Sequence, residues 1–326
     1  MGTKVIVVTG PTCSGKTQLS ILIAEKIPVE IISADSRQIY KYLDIGTAKP
    51  AKNILHQYKH HLIDELDPNE DYNVSRFEKD ALRIIYEIIQ RGNIPLVVGG
   101  SGLYIKGLVE GIFDSVDKDE KYMSELFKLK EKYGTEHLYN YLKKVSPQSA
   151  EKMLPQNWKR VMRALEVFHL TGKSIEEHHK NFSREISFYF VQYGLNWQRD
   201  VLYKNIERRI DEMIEAGFVV EVENILSMGY KKNINSLNTV GYKEIISYIN
   251  DEYSLERAIE LLKRNTRRYA KRQMTWFTHQ SFVHPPQISK KFGRAGQNLG
   301  GFKRDERIYW IKKYSEAEKL VKNFLK

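Results

Sequence analysis

The sequence predicts an α/β protein in which helices flank a parallel sheet, with an all-helical subdomain inserted into it. Two observations predict the sheet: short apolar runs alternate with helical patterns, and the first run leads into a glycine-rich turn and a helix. Such alternation is typical of parallel sheets, because parallel strands need long crossover connections. A third observation predicts the insertion, since helical patterns follow one another from residue 114 to 185 with no strand pattern between them.

Four strands are predicted in the first hundred residues, each a short run rich in β-branched and aliphatic side chains. They cover residues 4–8, 30–33, 60–63 and 94–98, and the helical pattern QLSILIAEK follows the first of them. Side chains of this kind fit the buried surface of a pleated strand. Ligands of open parallel sheets collect at the carboxyl ends of the strands, so the residues after these runs are the first candidates for a site.

An amphipathic helix is predicted between the third and fourth strands. Its start is assigned to a capping box formed by Ser75 and Glu78, and its end to Gly92. Apolar side chains recur between these points at helical spacing, which predicts one buried face. That face comprises Phe77, Ala81, Ile85, Ile88 and Ile89.

Domain organisation follows from the change of pattern along the chain. Residues 1–113 and 186–285 are predicted to form one α/β core, because strand alternation resumes after the insertion and further helices follow it. Residues 114–185 form the helical insertion. Residues 286–326 are a tail with weak patterns, in which a helix is predicted over 314–325.

The residues after the first strand, GPTCSGKT over 10–17, match the phosphate-binding pattern G-x-x-x-x-G-K-[ST]. Strand, glycine-rich turn and helix are the context that this P-loop motif requires, so the core is predicted to be P-loop NTPase-like. Backbone amides of residues 12–17 are expected to converge on phosphate oxygens, with Lys16 as a cation and the Thr17 hydroxyl as a ligand of Mg²⁺. The motif leaves open whether the phosphates belong to a nucleotide. The predicted phosphate site comprises Gly10, Thr12, Cys13, Ser14, Gly15, Lys16 and Thr17.

The chain is basic, with a formal charge of +11 from 52 Lys and Arg against 41 Asp and Glu. Residues 257–272, which we call the basic stripe, contain seven basic residues and one acidic residue. Helical spacing places Arg264, Arg268 and Arg272 on one face with Lys271 beside it, and aromatic residues follow directly. Basic and aromatic surface together is typical of RNA binding, whereas a solvated helix face is the alternative.

Composition excludes several other classes of protein. Cys13 is the only cysteine in 326 residues, which excludes a disulfide framework and a cysteine-based zinc site. A single cysteine fits a reducing compartment, and we expect a cytoplasmic protein. The apolar runs are too short to span a membrane, so we expect no membrane partner, and we expect a monomer.

Asp35 follows the second strand and is predicted to lie beside the phosphate site. In a P-loop kinase this carboxylate would take a proton from a small nucleoside-like acceptor, and in an RNA-modifying transferase it would face a nucleophile on RNA. A structural role as a helix cap or turn former is the third interpretation. An RNA-binding ATPase motor is disfavoured, because it needs a strand that ends in a carboxylate and the fourth strand ends in glycines.

Seven segments are informative together: GPTCSGKT, ISADSRQIYKYLDIGTAKP, HHLID, PLVVGGSGLYIKGL, WKRVMRALEVF, NTVGYKEI and RRYAKRQMTWF. In their order and approximate spacing they resemble the bacterial tRNA dimethylallyltransferases, also called tRNA isopentenyltransferases. The resemblance extends from residue 4 to about residue 285. It implies transfer of a dimethylallyl group from dimethylallyl diphosphate to N6 of the adenosine immediately 3′ of the anticodon in tRNA.

The resemblance also implies roles for individual residues. Lys16, the loop amides and Mg²⁺ held by Thr17 would stabilise the leaving diphosphate. Lys121 stands where relatives commonly use an arginine for the same group. Asp35 would orient the N6 amino group and remove its proton as the new bond forms. Contacts to tRNA are implied for Asp35, Ser36, Arg37, Gln38, Ser101, Lys159, Arg160, Val161, Met162 and Arg163, to which the basic stripe adds Arg268 and Lys271.

Overall fold

A computed structural model describes residues 3–112, 119–181, 183–279, 308–311 and 316. The chain divides into two compact units. The first comprises Met1–Glu110 and Ile186–Lys326, and the second comprises Gly111–Glu185. The boundary predicted between 113 and 114 and all of the helix predicted over 314–325 except Glu316 lie outside the described residues.

A parallel sheet of six strands forms the centre of the first unit, which confirms the predicted α/β class. The strands are β1 (Thr3–Thr9), β2 (Val29–Ser33), β3 (His60–His61), β4 (Ile94–Gly99), β5 (Phe188–Leu195) and β6 (Ile308–Ile311). Their order in the sheet is β3-β2-β4-β1-β5-β6, and all pairings between described strands are parallel. The last strand lies in the tail, where no strand was predicted, and it pairs with β5.

The sheet is buried on both faces, as the run of apolar residues in β1 shows. Val5 and Val7 belong to one hydrophobic core, and Ile6 and Val8 belong to a second core. All four side chains are at most 1% exposed. Successive side chains of a strand point to opposite faces, so continuous apolar runs are expected where helices cover both sides.

Four helices accompany the first four strands, and the third of them corrects a prediction. The N-cap of this helix is Asn73, whose side chain accepts hydrogen bonds from the backbone N–H of Ser75 and of Arg76 at 3.0 Å each. The helix therefore begins at Val74, and the cap predicted at Ser75 is wrong, because Asn73 satisfies the first free amides two residues earlier. The helices are α1 (Lys16–Ala24), α2 (Lys52–Gln57), α3 (Val74–Gln90) and α4 (Gly102–Glu110).

The described residues of the second unit form helices and their connections, with no strand among them. It has a hydrophobic core of its own, to which Leu126, Leu138, Leu142 and Leu165 contribute. A separate core gives this unit the packing that an inserted subdomain requires. Its helices are α5 (Glu120–Tyr133), α6 (Thr135–Val145), α7 (Pro147–Ala150), α8 (Trp158–Thr171) and α9 (Ile175–Asn181).

Four more helices lie between residues 199 and 279 of the first unit, after β5. The last of them has 25 residues and carries the basic stripe along most of its length. None of the described helices is both long enough and apolar enough to cross a membrane. The helices are α10 (Arg199–Glu215), α11 (Phe218–Ser227), α12 (Tyr242–Ile249) and α13 (Leu255–His279).

Candidate active site

The candidate site lies where the parallel strands of the first unit end. The phosphate loop, residues 10–17, follows β1, and Asp35 stands two residues after β2. The turn after β4 is tied to the same place, because the Ala34 N–H donates to the Val98 carbonyl and the Ser101 N–H donates to the Ala34 carbonyl. Parallel strands end at one edge of a sheet, so these three segments meet there.

The phosphate loop needs glycine at its first position. Gly10 has φ 154°, and a Cβ added there would lie 3.0 Å from the Leu195 carbonyl oxygen and 3.0 Å from the Ser14 hydroxyl. Gly15, with φ 83°, forms the N-cap of α1, so the loop passes directly into the amino end of a helix. That end carries free backbone N–H groups and a partial positive charge, which suit a phosphate group. Thr17 is exposed in the first turn.

Three side chains from later in the sequence hold the phosphate loop. The Thr12 N–H donates to Gln273 Oε1 at 2.9 Å, and Trp197 Nε1 donates to the Ser14 carbonyl at 2.6 Å. Arg209 Nη1 donates to Thr12 Oγ1 at 3.3 Å and lies 3.5 Å from the sulfur of Cys13. The amide of Thr12 is therefore already occupied by a protein group. This corrects the prediction that the amides of residues 12–17 all converge on phosphate.

Lys16 is the cation within the loop, and its ammonium group donates to the Pro11 carbonyl at 2.7 Å. Burial lowers the pKa of Lys16, the negative charge of Asp35 opposes this shift and the positive charge of Arg209 adds to it, so that the resulting pKa is about 8. Arg209 contacts Thr12 and Cys13 of the same loop, and Asp35 follows β2 at the same edge of the sheet. Two cations and one carboxylate therefore form a cluster with a net positive charge at the loop.

The carboxylate of Asp35 is held in one orientation. Its Oδ1 accepts hydrogen bonds from the N–H of Arg37 at 2.8 Å and from the N–H of Gln38 at 3.4 Å. Its Oδ2 accepts no hydrogen bond from the part of the chain that the structure describes. The charge of Asp35 also reaches α13, because burial and then this carboxylate raise the pKa of Tyr269 to about 12. An oriented carboxylate with one free oxygen has the form of a general base.

The other residues predicted around Asp35 differ in how many hydrogen-bonding groups they leave free for a ligand. The hydroxyl of Ser101 accepts from the Ser36 N–H at 3.1 Å and retains its own hydrogen for a ligand. The Gln38 amide donates both of its hydrogens inside the protein, to the carbonyls of Thr47 at 3.2 Å and Ala48 at 3.3 Å. Gln38 therefore braces the neighbouring loop and can offer a ligand only its oxygen, which already accepts from Ser33 at 3.2 Å.

The basic stripe is exposed in part. Arg268, Lys271 and Arg272 are exposed, and they line an open cavity of about 570 Å³ together with Thr275, Trp276 and His279. Other cations of the stripe have partners within the protein: Arg267 forms an ion pair with Glu207 at 2.8 Å. The two stripe residues predicted to bind tRNA, Arg268 and Lys271, thus belong to the exposed group.

The five residues of the helical unit that are predicted to contact tRNA differ in their exposure. Lys159 and Arg160 are exposed, and Arg163 pairs with Glu166 at 2.7 Å. Val161 and Met162 are at most 2% exposed and lie in the core of the unit. Their side chains pack against other helices, which corrects the prediction that they contact a nucleic acid.

Arg209 was not predicted from the sequence, and Lys121 stays a prediction for the diphosphate. Lys121 is exposed on α5 in the helical unit, whereas Arg209 on α10 contacts the phosphate loop. A signal was present, because Leu202, Ile206 and Arg209 follow one another at i, i+4 and i+7, which is the spacing of one helix face. An arginine on the buried face of an amphipathic helix indicates a partner inside the protein.

Comparisons with known proteins give one consistent result. Family models described as IPP transferase and as isopentenyl transferase match residues 38–280 and 3–70. The tRNA dimethylallyltransferase of Caldanaerobacter subterraneus subsp. tengcongensis is 44% identical over 287 residues, which are 87% of this chain and 91% of the relative. The enzyme of the same name from Acetivibrio thermocellus is 43% identical over 326 residues, covering 98% of this chain and 95% of the relative.

Solved structures agree with these relatives. The full-length tRNA isopentenylpyrophosphate transferase of Bacillus halodurans superposes with a TM-score of 0.67 at 35% identity, covering 99% of this chain and 95% of that one. A eukaryotic dimethylallyltransferase acting on tRNA superposes with a TM-score of 0.73 at 32% identity, covering 84% of this chain and 70% of that one.

Proposed function

This chain belongs to the IPP transferase family, and from that membership we propose that it is a tRNA dimethylallyltransferase. It transfers a dimethylallyl group from dimethylallyl diphosphate to N6 of the adenosine immediately 3′ of the anticodon. The observation that carries the proposal is the cluster of Lys16, Arg209 and Asp35, in which a carboxylate with a free oxygen lies beside a phosphate loop. The relatives support this reaction over the small-molecule kinase, because those named above are tRNA-modifying transferases.

The diphosphate of the donor is the proposed ligand of the phosphate loop. When the allylic C–O bond breaks, its electron pair leaves with the diphosphate and negative charge builds on that group. Lys16 and Arg209 are held beside the loop before any reaction, by the carbonyl of Pro11 and by Thr12 and Cys13. Donors that are fixed in advance stabilise developing charge without reorganising, which is usually a large part of catalysis.

The acceptor nitrogen is proposed to meet Asp35. The adenine amino group is a weak nucleophile, so it attacks the allylic carbon as the bond to diphosphate weakens. The new bond is N6 to carbon, the broken bond is carbon to oxygen, and the surplus proton of N6 passes to Asp35. The free Oδ2 suits this task, because Oδ1 is engaged by two backbone amides that fix the carboxylate.

Mg²⁺ is the proposed cofactor. Among the described residues, no group of three or more His, Cys, Asp or Glu side chains could hold a metal ion. A site with a single protein oxygen still fits Mg²⁺, because that ion is commonly bound by few protein oxygens together with substrate phosphates. Thr17, exposed at the amino end of α1, would hold it through its hydroxyl. When bound, the ion would neutralise charge on the diphosphate.

The acceptor RNA is proposed to contact exposed groups of both units. The target base must leave its stack to reach Asp35, which costs a few kcal/mol that other contacts offset. Ser36, Arg37 and Ser101 lie next to the base site, and Arg268 and Lys271 provide exposed charge on α13. Lys159, Arg160 and Arg163 are the proposed contacts of the helical unit. We propose that the reaction takes place in the cytoplasm and that a monomer carries it out.

The experiment that tests the proposed function is a nucleoside digest. Unmodified tRNA is incubated with the protein, dimethylallyl diphosphate and Mg²⁺, and its nucleosides are identified by mass spectrometry. We expect one N6-dimethylallyl adenosine per tRNA, at the position 3′ of the anticodon, with one free diphosphate released and no requirement for ATP. Transfer of the γ-phosphate of ATP to a small acceptor, without any prenylated nucleoside, would establish the kinase instead.

Removing two cations of the basic stripe should weaken tRNA binding. In the variant Arg268→Ala with Lys271→Ala, we expect the slope of log affinity against log salt to fall by about two, because each lost phosphate contact lowers it by about one. The KM for dimethylallyl diphosphate should stay unchanged. The matched control makes the same change to Ala at Arg257 and Lys263. These residues lie on the same helix but form ion pairs, with Glu260 and Asp211 respectively. A wild-type slope in the first variant would make the stripe a solvated face.

Binding of the donor should weaken as the pH rises through about 8. Lys16 has a pKa lowered to about 8, so its positive charge is present below that pH and is lost above it. We expect the Kd of dimethylallyl diphosphate, measured by calorimetry without tRNA, to be about tenfold higher at pH 9 than at pH 7. Lys16→Arg should remove this dependence, because the guanidinium stays charged. A constant Kd over this range in the wild type would exclude a role for the Lys16 charge in binding.

A further inference from the structure

One buried side chain of α13 connects two loops of the active site. Gln273 is 7% exposed. Its Oε1 accepts from the Thr12 N–H at 2.9 Å, and its Nε2 donates to the Gly100 carbonyl at 2.9 Å. The first partner belongs to the phosphate loop and the second to the turn after β4. A single amide group thus links the ends of β1 and β4 to the helix that carries the basic stripe.

Gln273 and its neighbour Trp276 pack closely against glycines of the turn after β4. A Cβ at Gly100 would lie 2.5 Å from Gln273 Nε2, so only glycine admits the amide at this distance. One turn further along α13, Trp276 packs on Gly102, where an added Cβ would lie 2.1 Å from the indole Cδ1. The turn after β4 is therefore built to receive two side chains of α13.

The chemistry of the contact explains why the residue is glutamine. Both partners are backbone groups, one a donor and one an acceptor, and leaving either without a hydrogen bond costs free energy to the extent that it is buried. A side-chain amide offers an acceptor and a donor at one end. Glutamate would lack the donor, methionine would lack both groups, and asparagine would be one methylene shorter.

We propose that Gln273 is a positioning residue for the transfer reaction, which sets the phosphate loop in the conformation that binds the donor diphosphate. This inference rests on the proposed function. Cys13, next to the anchored amide, has φ 60°, a value that side-chain-bearing residues rarely adopt without support from their surroundings. The anchor on Thr12 supplies such support. Gln273 acts through the loop and does not itself touch the substrates.

Two variants that break the same contact from opposite sides test the proposal. Gln273→Met removes both hydrogen bonds while it keeps an unbranched side chain of similar length. Gly100→Ala keeps the Gln273 residue but adds a Cβ 2.5 Å from its Nε2, which must displace the amide. For each variant we expect the KM of dimethylallyl diphosphate to rise at least tenfold, with kcat falling less and the Kd of tRNA changing less than twofold. Thermal melting identifies the variants that fold.

The double variant and the wild type complete the experiment. Because both changes act on the same amide group of Gln273, the double variant should have a KM no more than twofold above that of Gln273→Met. A wild-type KM in either folded single variant, or multiplying effects in the double variant, would overturn the proposal; if Gln273→Met does not fold, Gly100→Ala decides. If the wild type is active and the variants have normal KM values, only the role of Gln273 is rejected. A wild type that forms no prenylated nucleoside rejects the proposed function itself.

Discussion

Replacing Asp35 with asparagine is expected to lower the turnover of dimethylallyl transfer at least a hundredfold. Asparagine preserves the shape of the side chain, and its oxygen can still accept from the N–H groups of Arg37 and Gln38. The free Oδ2, however, becomes an amide nitrogen that cannot accept a proton. A hundredfold loss corresponds to about 2.7 kcal/mol of transition-state stabilisation, which is within the range for a general base.

The measurement separates chemistry from binding. Single-turnover rates with saturating tRNA and donor report the chemical step, and filter binding reports the Kd of tRNA, which should change little. Asp251→Asn is the matched control, because it makes the same substitution at an exposed carboxylate whose φ of 57° asparagine tolerates. A turnover near that of the wild type in Asp35→Asn would remove this residue from the mechanism.

The features that the sequence predicted well are those encoded by neighbouring residues. The phosphate loop is contiguous, so its glycines and its lysine could be identified from eight residues. The buried strands and the face of α3 follow from local periodicity, and the structure confirms Phe77, Ala81, Ile85 and Ile88 as buried. Local patterns also predicted the parallel sheet, since alternating strands and helices leave few other arrangements.

The features that the sequence did not predict depend on residues far apart in the chain. The strand β6 has four residues and is fixed by pairing with β5, more than a hundred positions earlier. The amide of Thr12 is taken by Gln273, at a separation of 261 residues. Val161 and Met162 stand in a segment that the resemblance marks for RNA contact, yet helical periodicity assigns their side chains to the core. The family resemblance identifies the segment as a whole, and the packing of the helix determines which of its side chains are exposed to RNA.

Two residues are candidates for binding the diphosphate. The structure indicates Arg209, and the sequence indicates Lys121. Arg209→Ala is expected to lower kcat/KM for dimethylallyl diphosphate by about a hundredfold to a thousandfold, the range for loss of one donor to a developing oxyanion. The guanidinium contacts Thr12 and Cys13 in the phosphate loop, so its removal takes away a cation where the leaving group is proposed to bind. Arg209→Lys keeps the charge but not the forked geometry, and should lie between alanine and the wild type.

Lys121→Ala is the control for Arg209→Ala, and it should change kcat/KM less than threefold. A second readout is independent of the rate. Because the positive charge of Arg209 contributes to lowering the pKa of Lys16, removing it should move the pH dependence of donor binding from about 8 to a higher pH. Lys121→Ala should leave that pH dependence unchanged. If Lys121→Ala proves the more damaging of the two substitutions, the diphosphate is bound as the family resemblance implied, and Arg209 serves only to brace the loop.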